Sequence, residues 1–580
     1  MSWFLCVLTP KPFLEWEIEK LLKSHPKTQN TIIKPSFYFS YDSRKESIYS
    51  EKPTEDNPYF RLVLGRGYIS KSTGYSQVDE ADWEKLINFE FEPKDIDGHY
   101  LAFKIKENFL QLTVDVSGHY PVYYIKYDDY IIVSNRQEFI ISLMNKKPWN
   151  YSGVSALALL SIPLEKSTYI KNISLLENGS TIIVKDNKLS IIDRKTKFIT
   201  NSETDIQQYL FKLKKAFELQ LNEKDVIFLP LEPNYSSRFA FSLWCHKPKK
   251  LWGLYNLQNN NITPDTFIDN SILNNLQIKD FPYFNETEEI FNLYRNFVLN
   301  TGLTDFPSYF YLAQNDLPTM QSLIKKKTND IYILPSQSEW LFEKDPLKKI
   351  DKIFKIIKEN NFNDFKKHFV LKNYFFREEF YPFLLKGLKK HFDDFVKKIT
   401  ITETIYDNYL FLITNYHFLV FAPTLAWLND YKTFYSPAML YSLTCNHLSQ
   451  RFINPTLFET CSNLHLNFAK ESETFPKPKD NKAVLSERIN AFPTMSERIN
   501  AFPTMSGFLR RAQHSSNPNK IYFPFIAKKI SDMIINSDKV PYYNIKNLFK
   551  IFNKAQKGNE NAINIIMKWT GFEIWREFLE

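Results

Sequence analysis

The sequence predicts an α+β half built on antiparallel sheet, followed by an α/β region that grades into helix. Three observations carry this reading. Residues 1 to about 200 consist of short alternating or wholly apolar runs between turn signals, such as FRLVLGRGYIS, HYLAFKIKENFLQLTVDVSGHYPVYYIKYDDYIIVSN and GSTIIVKDNKLSIID. The period changes near residue 205, where DIQQYLFKLKKAFELQL spaces its apolar residues three and four apart. The apolar run Asp225-Val226-Ile227-Phe228 then leads into LPLEPNYSSRF, residues 229–239, and a helix-like opening at Ala240-Phe241-Ser242-Leu243-Trp244.

Taken in order, the chain opens on Trp3-Phe4-Leu5-Cys6-Val7-Leu8, which reads as a strand. It has neither the basic flank nor the length of a signal peptide. Asp128-Asp129 and Asp186-Asn187 are hairpin turns, because short acidic and amide side chains tolerate the left-handed backbone that a two-residue loop needs. Residues 343 to 470 are expected to be largely helical. Within them Tyr409 to Leu428 is the most membrane-like stretch, but Asn415, His417 and Pro423 lie inside it and Asp407 and Asp430 flank it. It reads as a buried helix rather than a span. The decapeptide SERINAFPTM occurs twice in tandem, at 486–495 and 496–505, after ETFPKPKDNK. An exposed loop at about 471–510 is expected, since insertions survive best there.

Composition excludes several classes. Hydrophobic residues make up 43% of the 580, enough for a large core and too many for a disordered chain. The 74 Lys and Arg against 65 Asp and Glu leave a formal charge of +9 spread along the chain, with only short runs such as Lys325-Lys326-Lys327. A nucleic-acid binder concentrates its charge, so none is expected. The four cysteines, Cys6, Cys245, Cys445 and Cys461, form no CxxC pair, and the histidines form no HxxxH pattern. Neither a disulfide scaffold nor a metal site is expected. The aromatic content of 16% reads as drift of an AT-rich coding sequence before it reads as a stacking surface.

The segment IDGHYLAFKIKENFLQLTVDVSGHYPVYYIKYDDYIIVSN resembles the glutaminase-type domain of asparagine synthetases. The likeness rests on Gly98, Tyr100, Asp115, Gly118, Pro121, Tyr123, Tyr124, Ser134 and Asn135, with Gly179 as the turn glycine of the closing strands. The order continues along nearly the whole chain. LPLEPNYSSRF falls where that family carries a Ser-Gly-Gly-x-Asp-Ser pyrophosphate loop, and IYILPSQSEWLF, residues 331–342, where it carries Gly-Glu-Gly-x-Asp-Glu-Leu-Phe. The resemblance implies an N-terminal-nucleophile-like β-sandwich flanked by helices over 1–200. It also implies a parallel-sheet, PP-loop-like domain with a helical extension over 205–580.

The chemistry that the resemblance would bring is missing at three places. The family's nucleophile is a cysteine at position 2, whose own α-amine acts as the base. Here the residue is Ser2, and Cys6 lies inside the strand as a small buried hydrophobe. No glutaminase activity is expected. The pyrophosphate loop is replaced by a vestigial loop, Leu231, Glu232, Asn234, Ser236 and Ser237, with Pro233 among them. Glycines let a backbone aim its N–H groups at phosphate oxygens, whereas proline removes one such donor. Glu232 adds a like charge that costs roughly 4 kcal/mol at about 4 Å and an effective dielectric of about 20. In the acidic loop Ser336, Glu339 and Trp340 stand for Glu, Asp and Glu, and Pro335 and Gln337 stand for the glycines. One carboxylate, Glu339, is left where magnesium wants one or two beside substrate phosphates. The chain has only 13 glycines, about 2% against a usual 7% or so.

The expected function is therefore that of an asparagine-synthetase-like pseudoenzyme with no cofactor and no catalytic residue. It would bind a peptide, protein or pathway partner, such as an active family member. The alternative is an ATP- and magnesium-dependent amide ligase or amidotransferase of the kind that builds peptide natural products and β-lactams. A third reading is a structural protein whose motifs match by chance. A cytoplasmic location without membrane contact is expected, with the oligomeric state open and a homodimer allowed. Trp252, Tyr255, Phe306 and Tyr309 are read as core before they are read as lining of a cleft.

Overall fold

The computed structural model describes residues 3–42, 47–55, 57–71, 74–116, 118, 120–160, 168–192, 227–230, 251–255, 277–280, 287–303, 331–333, 355–370, 375–398, 434–435 and 518–579. Several expectations lie outside them: the helix at 205–221, all of the vestigial-loop residues, Tyr409 to Leu428, the repeated decapeptide and its loop, and Cys245, Cys445, Cys461, Phe306 and Tyr309. Among the described residues no helix is long and apolar enough to cross a membrane.

Two antiparallel sheets form the N-terminal region. The first joins β1 (Trp3–Leu8), β2 (Asn30–Lys34), β3 (Phe37–Asp42), β9 (Tyr123–Tyr127), β10 (Tyr130–Ser134) and β11 (Ser174–Leu175) in the order β11-β9-β10-β1-β3-β2. The second joins β4 (Ser47–Glu51), β5 (Phe60–Lys71), β6 (Gly74–Gln77), β7 (Asp97–Lys106), β8 (Phe109–Val114), β12 (Thr181–Lys185) and β13 (Lys188–Ile192). Its order is β13-β12-β8-β7-β5-β4, with β6 paired to β5. The hairpin turns are where the residues require them. Asp128 adopts φ 53° between β9 and β10, and Asp186 and Asn187 adopt 48° and 58° between β12 and β13.

The sandwich is covered by helix on both sides. Phe4, Cys6, Leu8, Phe39, Leu62, Leu101, Phe103 and Leu112 pack between the sheets. Val63, Tyr100 and Ala102, on the outer face of the second sheet, pack under Trp83, Leu86 and Ile87 of α2 (Glu80–Ile87). Trp3, Leu5, Val7 and Tyr38, on the outer face of the first sheet, belong to a third and larger buried cluster. Because both of its faces are covered, β1 is buried along its whole length rather than alternating.

That larger cluster unites distant parts of the chain. It takes in α3 (Gln137–Leu143), α4 (Tyr151–Leu160), α5 (Thr287–Thr301), α6 (Phe362–Phe369), α7 (Tyr381–Lys398), α8 (Pro518–Asn536), α9 (Ile545–Gln556) and α10 (Glu560–Leu579). Gly387 lets α7 lie against α4, since a Cβ there would meet the Ser155 hydroxyl at 2.3 Å. Tyr169 packs on Trp575 at 5.3 Å and donates its hydroxyl to the Gly302 carbonyl. Gly302 ends α5 with φ +72°, its N–H donating to Val298 O at 2.8 Å, as glycine does at helix ends.

A third sheet is wholly parallel. It comprises β14 (Ile227–Pro230), β15 (Leu251–Tyr255), β16 (Gln277–Asp280), β17 (Ile331–Ile333) and β18 (Phe434–Tyr435), in the order β16-β15-β14-β17-β18. Parallel strands need long crossovers, and the chain supplies them, α5 lying on the one between β16 and β17.

Candidate functional site

The order of the parallel strands selects one place for a ligand. The chain enters the sheet in the middle at β14, moves outward through β15 to β16, then returns to the other side of β14 as β17 and continues outward to β18. The crossovers therefore reverse direction between β14 and β17. In open α/β sheets ligands sit in the crevice beyond the carboxyl ends of the strands, where the order reverses. Here those ends are Pro230 and Ile333, on strands paired directly at Ile227–Ile331 and Phe228–Tyr332.

Both segments singled out in the sequence follow directly on these two strands. Leu231, Glu232, Asn234, Ser236 and Ser237 follow β14, and Ser336 and Glu339 follow β17. The strand pairing brings the roots of the two segments side by side, although they are about a hundred residues apart in sequence. Trp252 and Tyr255 lie on β15, the other neighbour of β14.

The second place singled out is the start of β1. Ser2 lies outside the described residues, and what holds the strand behind it is clear. Phe4 N–H donates to Asn135 Oδ1 at 2.9 Å, and the Ser134 hydroxyl donates to Phe4 O at 2.6 Å. Ser134 Oγ in turn accepts from Arg136 N–H at 3.0 Å. The signature residues Ser134 and Asn135 thus clamp the N-terminal strand. Asp115 is equally architectural. Wholly buried, it accepts from Tyr100 N–H at 3.3 Å and Gly118 N–H at 2.7 Å, while its backbone carbonyl accepts from Gly179 N–H at 2.9 Å.

Cys6 matches its expected role. It is fully buried between the sheets, and burial pushes its thiol well above the ordinary range, so the nucleophilic thiolate is suppressed. Among the described residues no group of histidine, cysteine and carboxylate side chains is arranged to hold a metal ion.

Sequence reasoning missed two features. Arg136, directly after the strand clamp, bonds Asn300 at the end of α5 and lies 3.7 Å from Glu138. Its place beside Ser134 and Asn135 was a usable signal. Glu573, in the middle of α10, is buried and accepts from Ser537 at 2.5 Å, Tyr543 at 2.7 Å and Arg576 at 2.7 and 2.8 Å. Arg576 three residues on was the only local hint, because the other partners come from another part of the fold.

Neither a family model nor a curated protein matches this sequence. Solved structures that it matches include one described as the allosteric regulatory enzyme of purine biosynthesis, at 12% identity and a TM-score of 0.21, over 39% of this chain and 60% of that one. Another is glutamine phosphoribosylpyrophosphate amidotransferase from B. subtilis complexed with ADP and GMP, at 10% identity and a TM-score of 0.22, over 62% of this chain and 79% of that one. The chain spans 60% of the length of the first of these. Likeness this slight carries no argument about activity.

Proposed function

We propose that this chain is an asparagine-synthetase-like pseudoenzyme, with an N-terminal-nucleophile-like domain over 1–200 and a PP-loop-like domain over 205–580. It acts by binding a peptide or protein partner at the crevice between β14 and β17. The observation that supports this is the meeting of fold and sequence. The strand order marks the β14–β17 boundary as the ligand position, and the residues that follow both strands there lack phosphate-binding chemistry.

The donor set argues against ATP and magnesium. Glu232 repels phosphate, Pro233 has no N–H to offer, and Glu339 is the one carboxylate left at the three positions where the resembled family carries acids. A surface relieved of nucleotide is free to serve recognition instead. The ATP-dependent amide ligase would need another source of phosphate-binding donors.

The proposal has a direct genetic test. Glycine placed at Pro233 and Asn234, with aspartate at Ser236, restores three positions of the phosphate loop but leaves Glu232 and the acidic loop as they are. The expected result is no release of pyrophosphate from ATP. Measurable turnover after those three changes alone would contradict the assignment of 331–342 as a lost metal loop.

A further inference from the structure

His25 sits where three elements of the sandwich meet. Its ring lies 4.8 Å from Trp3 on β1, 5.9 Å from Tyr38 on β3 and 6.0 Å from Phe139 on α3. Both nitrogens are committed. Nδ1 lies 2.8 Å from the Pro26 carbonyl, which can only accept, so Nδ1 carries the proton. Nε2 then accepts from the Tyr38 hydroxyl. The groups facing the ring are Trp3 from β1, Tyr38 from β3, Phe139 from α3 and the Pro26 carbonyl from its own segment. Tyr38 is the one that titrates, and burial holds it protonated, pushed up to about 12.

A proton arriving at Nε2 would meet a hydroxyl that is already donating and two aromatic rings, with no carboxylate in contact among the described residues. Burial accordingly lowers the value of His25 from 6.5, opposed in part by the Pro26 carbonyl. What this ring seats matters to both halves of the molecule. Trp3 precedes the clamped Phe4, and Phe139 belongs to α3, which follows Arg136 and packs on α5.

We propose that His25 is a proton-operated latch. Neutral, it seats Trp3 of β1 and Phe139 of α3 together; protonated, its Nε2 donates instead of accepting, the Tyr38 hydroxyl must turn away, and a charge with no counter-charge in contact among the described residues sits between the rings, which loosens the start of β1 and the α3–α5 contact. The sign follows from the lowered value. The unfolded or opened segment takes up the proton first, so the latch is complete above about pH 6.5 and weakens as pH falls, by at most about tenfold per unit, until the closed-state value is passed.

Hydrogen exchange of the full chain between about pH 7.5 and 5.5, corrected for intrinsic exchange, reads this out in peptides covering 3–8 and 137–143. In the wild type, protection there falls as the pH drops below about 6.5. In His25→Gln, which keeps a donor and an acceptor but does not titrate, protection stays level. In Tyr38→Phe, which removes the hydroxyl favouring neutral Nε2, the onset stays at about pH 6.5, because the opened segment sets it, but the fall is shallower and levels off at a higher pH. Level protection in the wild type, or an equal fall in His25→Gln, would overturn the latch. A fall in Tyr38→Phe as deep as that of the wild type would overturn the role of the Tyr38 hydroxyl.

Discussion

At the scale of single residues, the sequence signature and the structural function coincide. Gly98, Asp115, Ser134 and Asn135 looked like marks of a family. In the fold they are the points where the sandwich cannot be built otherwise. Gly98 adopts φ +127°, and a Cβ there would meet the Arg66 carbonyl at 2.3 Å. Gly558 also has positive φ, +82°, but a Cβ there would meet nothing within 4 Å. The two separate strain from collision. Gly558→Ala should cost about 1–2 kcal/mol of backbone strain. Gly98→Ala should cost clearly more, because the β5 backbone must also give way. Urea unfolding of both variants checks the ordering, and equal losses would mean that the close approach is relieved elsewhere.

At the scale of elements, what could be read depended on how local the cause was. The turns at Asp128-Asp129 and Asp186-Asn187 were legible because two adjacent residues decide them. The strand at Trp3–Leu8 was legible from its apolar run, but not its central position in a covered sheet, which needs β10 and β3 from elsewhere in the chain. The Glu573 hub was illegible for the same reason. Its partners Ser537 and Tyr543 lie 36 and 30 residues away, and nothing in the sequence marks a buried carboxylate on an apolar helix. The hub predicts a graded response. Tyr543→Phe removes one donor to the carboxylate and should cost about 1.5–3 kcal/mol. Glu573→Gln leaves Arg576 without its counter-charge in a site where Glu573 is 1% exposed, and should cost about 3–5 kcal/mol. Thermal unfolding midpoints of the two variants distinguish these losses; a Glu573→Gln midpoint no lower than that of Tyr543→Phe would argue against a charge-paired hub.

At the scale of the molecule, the sandwich and the later helices share one interior. Trp3, Leu5, Val7 and Tyr38 of the first sheet, Tyr169, and Trp575 of α10 belong to one buried cluster. A fragment of residues 1–200 would keep α3 on that sheet but leave bare the sides of α3 and α4 that α5, α7 and α10 cover. It is expected to bind a hydrophobic dye and to lack a cooperative thermal transition, whereas a sharp transition would show that the sandwich is self-sufficient. The parallel sheet completes the architecture. Its strands at 227–230 and 331–333 were legible as apolar runs without knowledge of their neighbours. Their adjacency, which brings the ends of two distant strands together, follows only from the strand order. Lost phosphate chemistry there is the centre of the account. Calorimetric titration of the full chain with ATP and magnesium, with AMP as control, tests it most directly. The account predicts no heat of binding up to millimolar nucleotide. Micromolar, magnesium-dependent binding would contradict it and make the amide-ligase reading the better one.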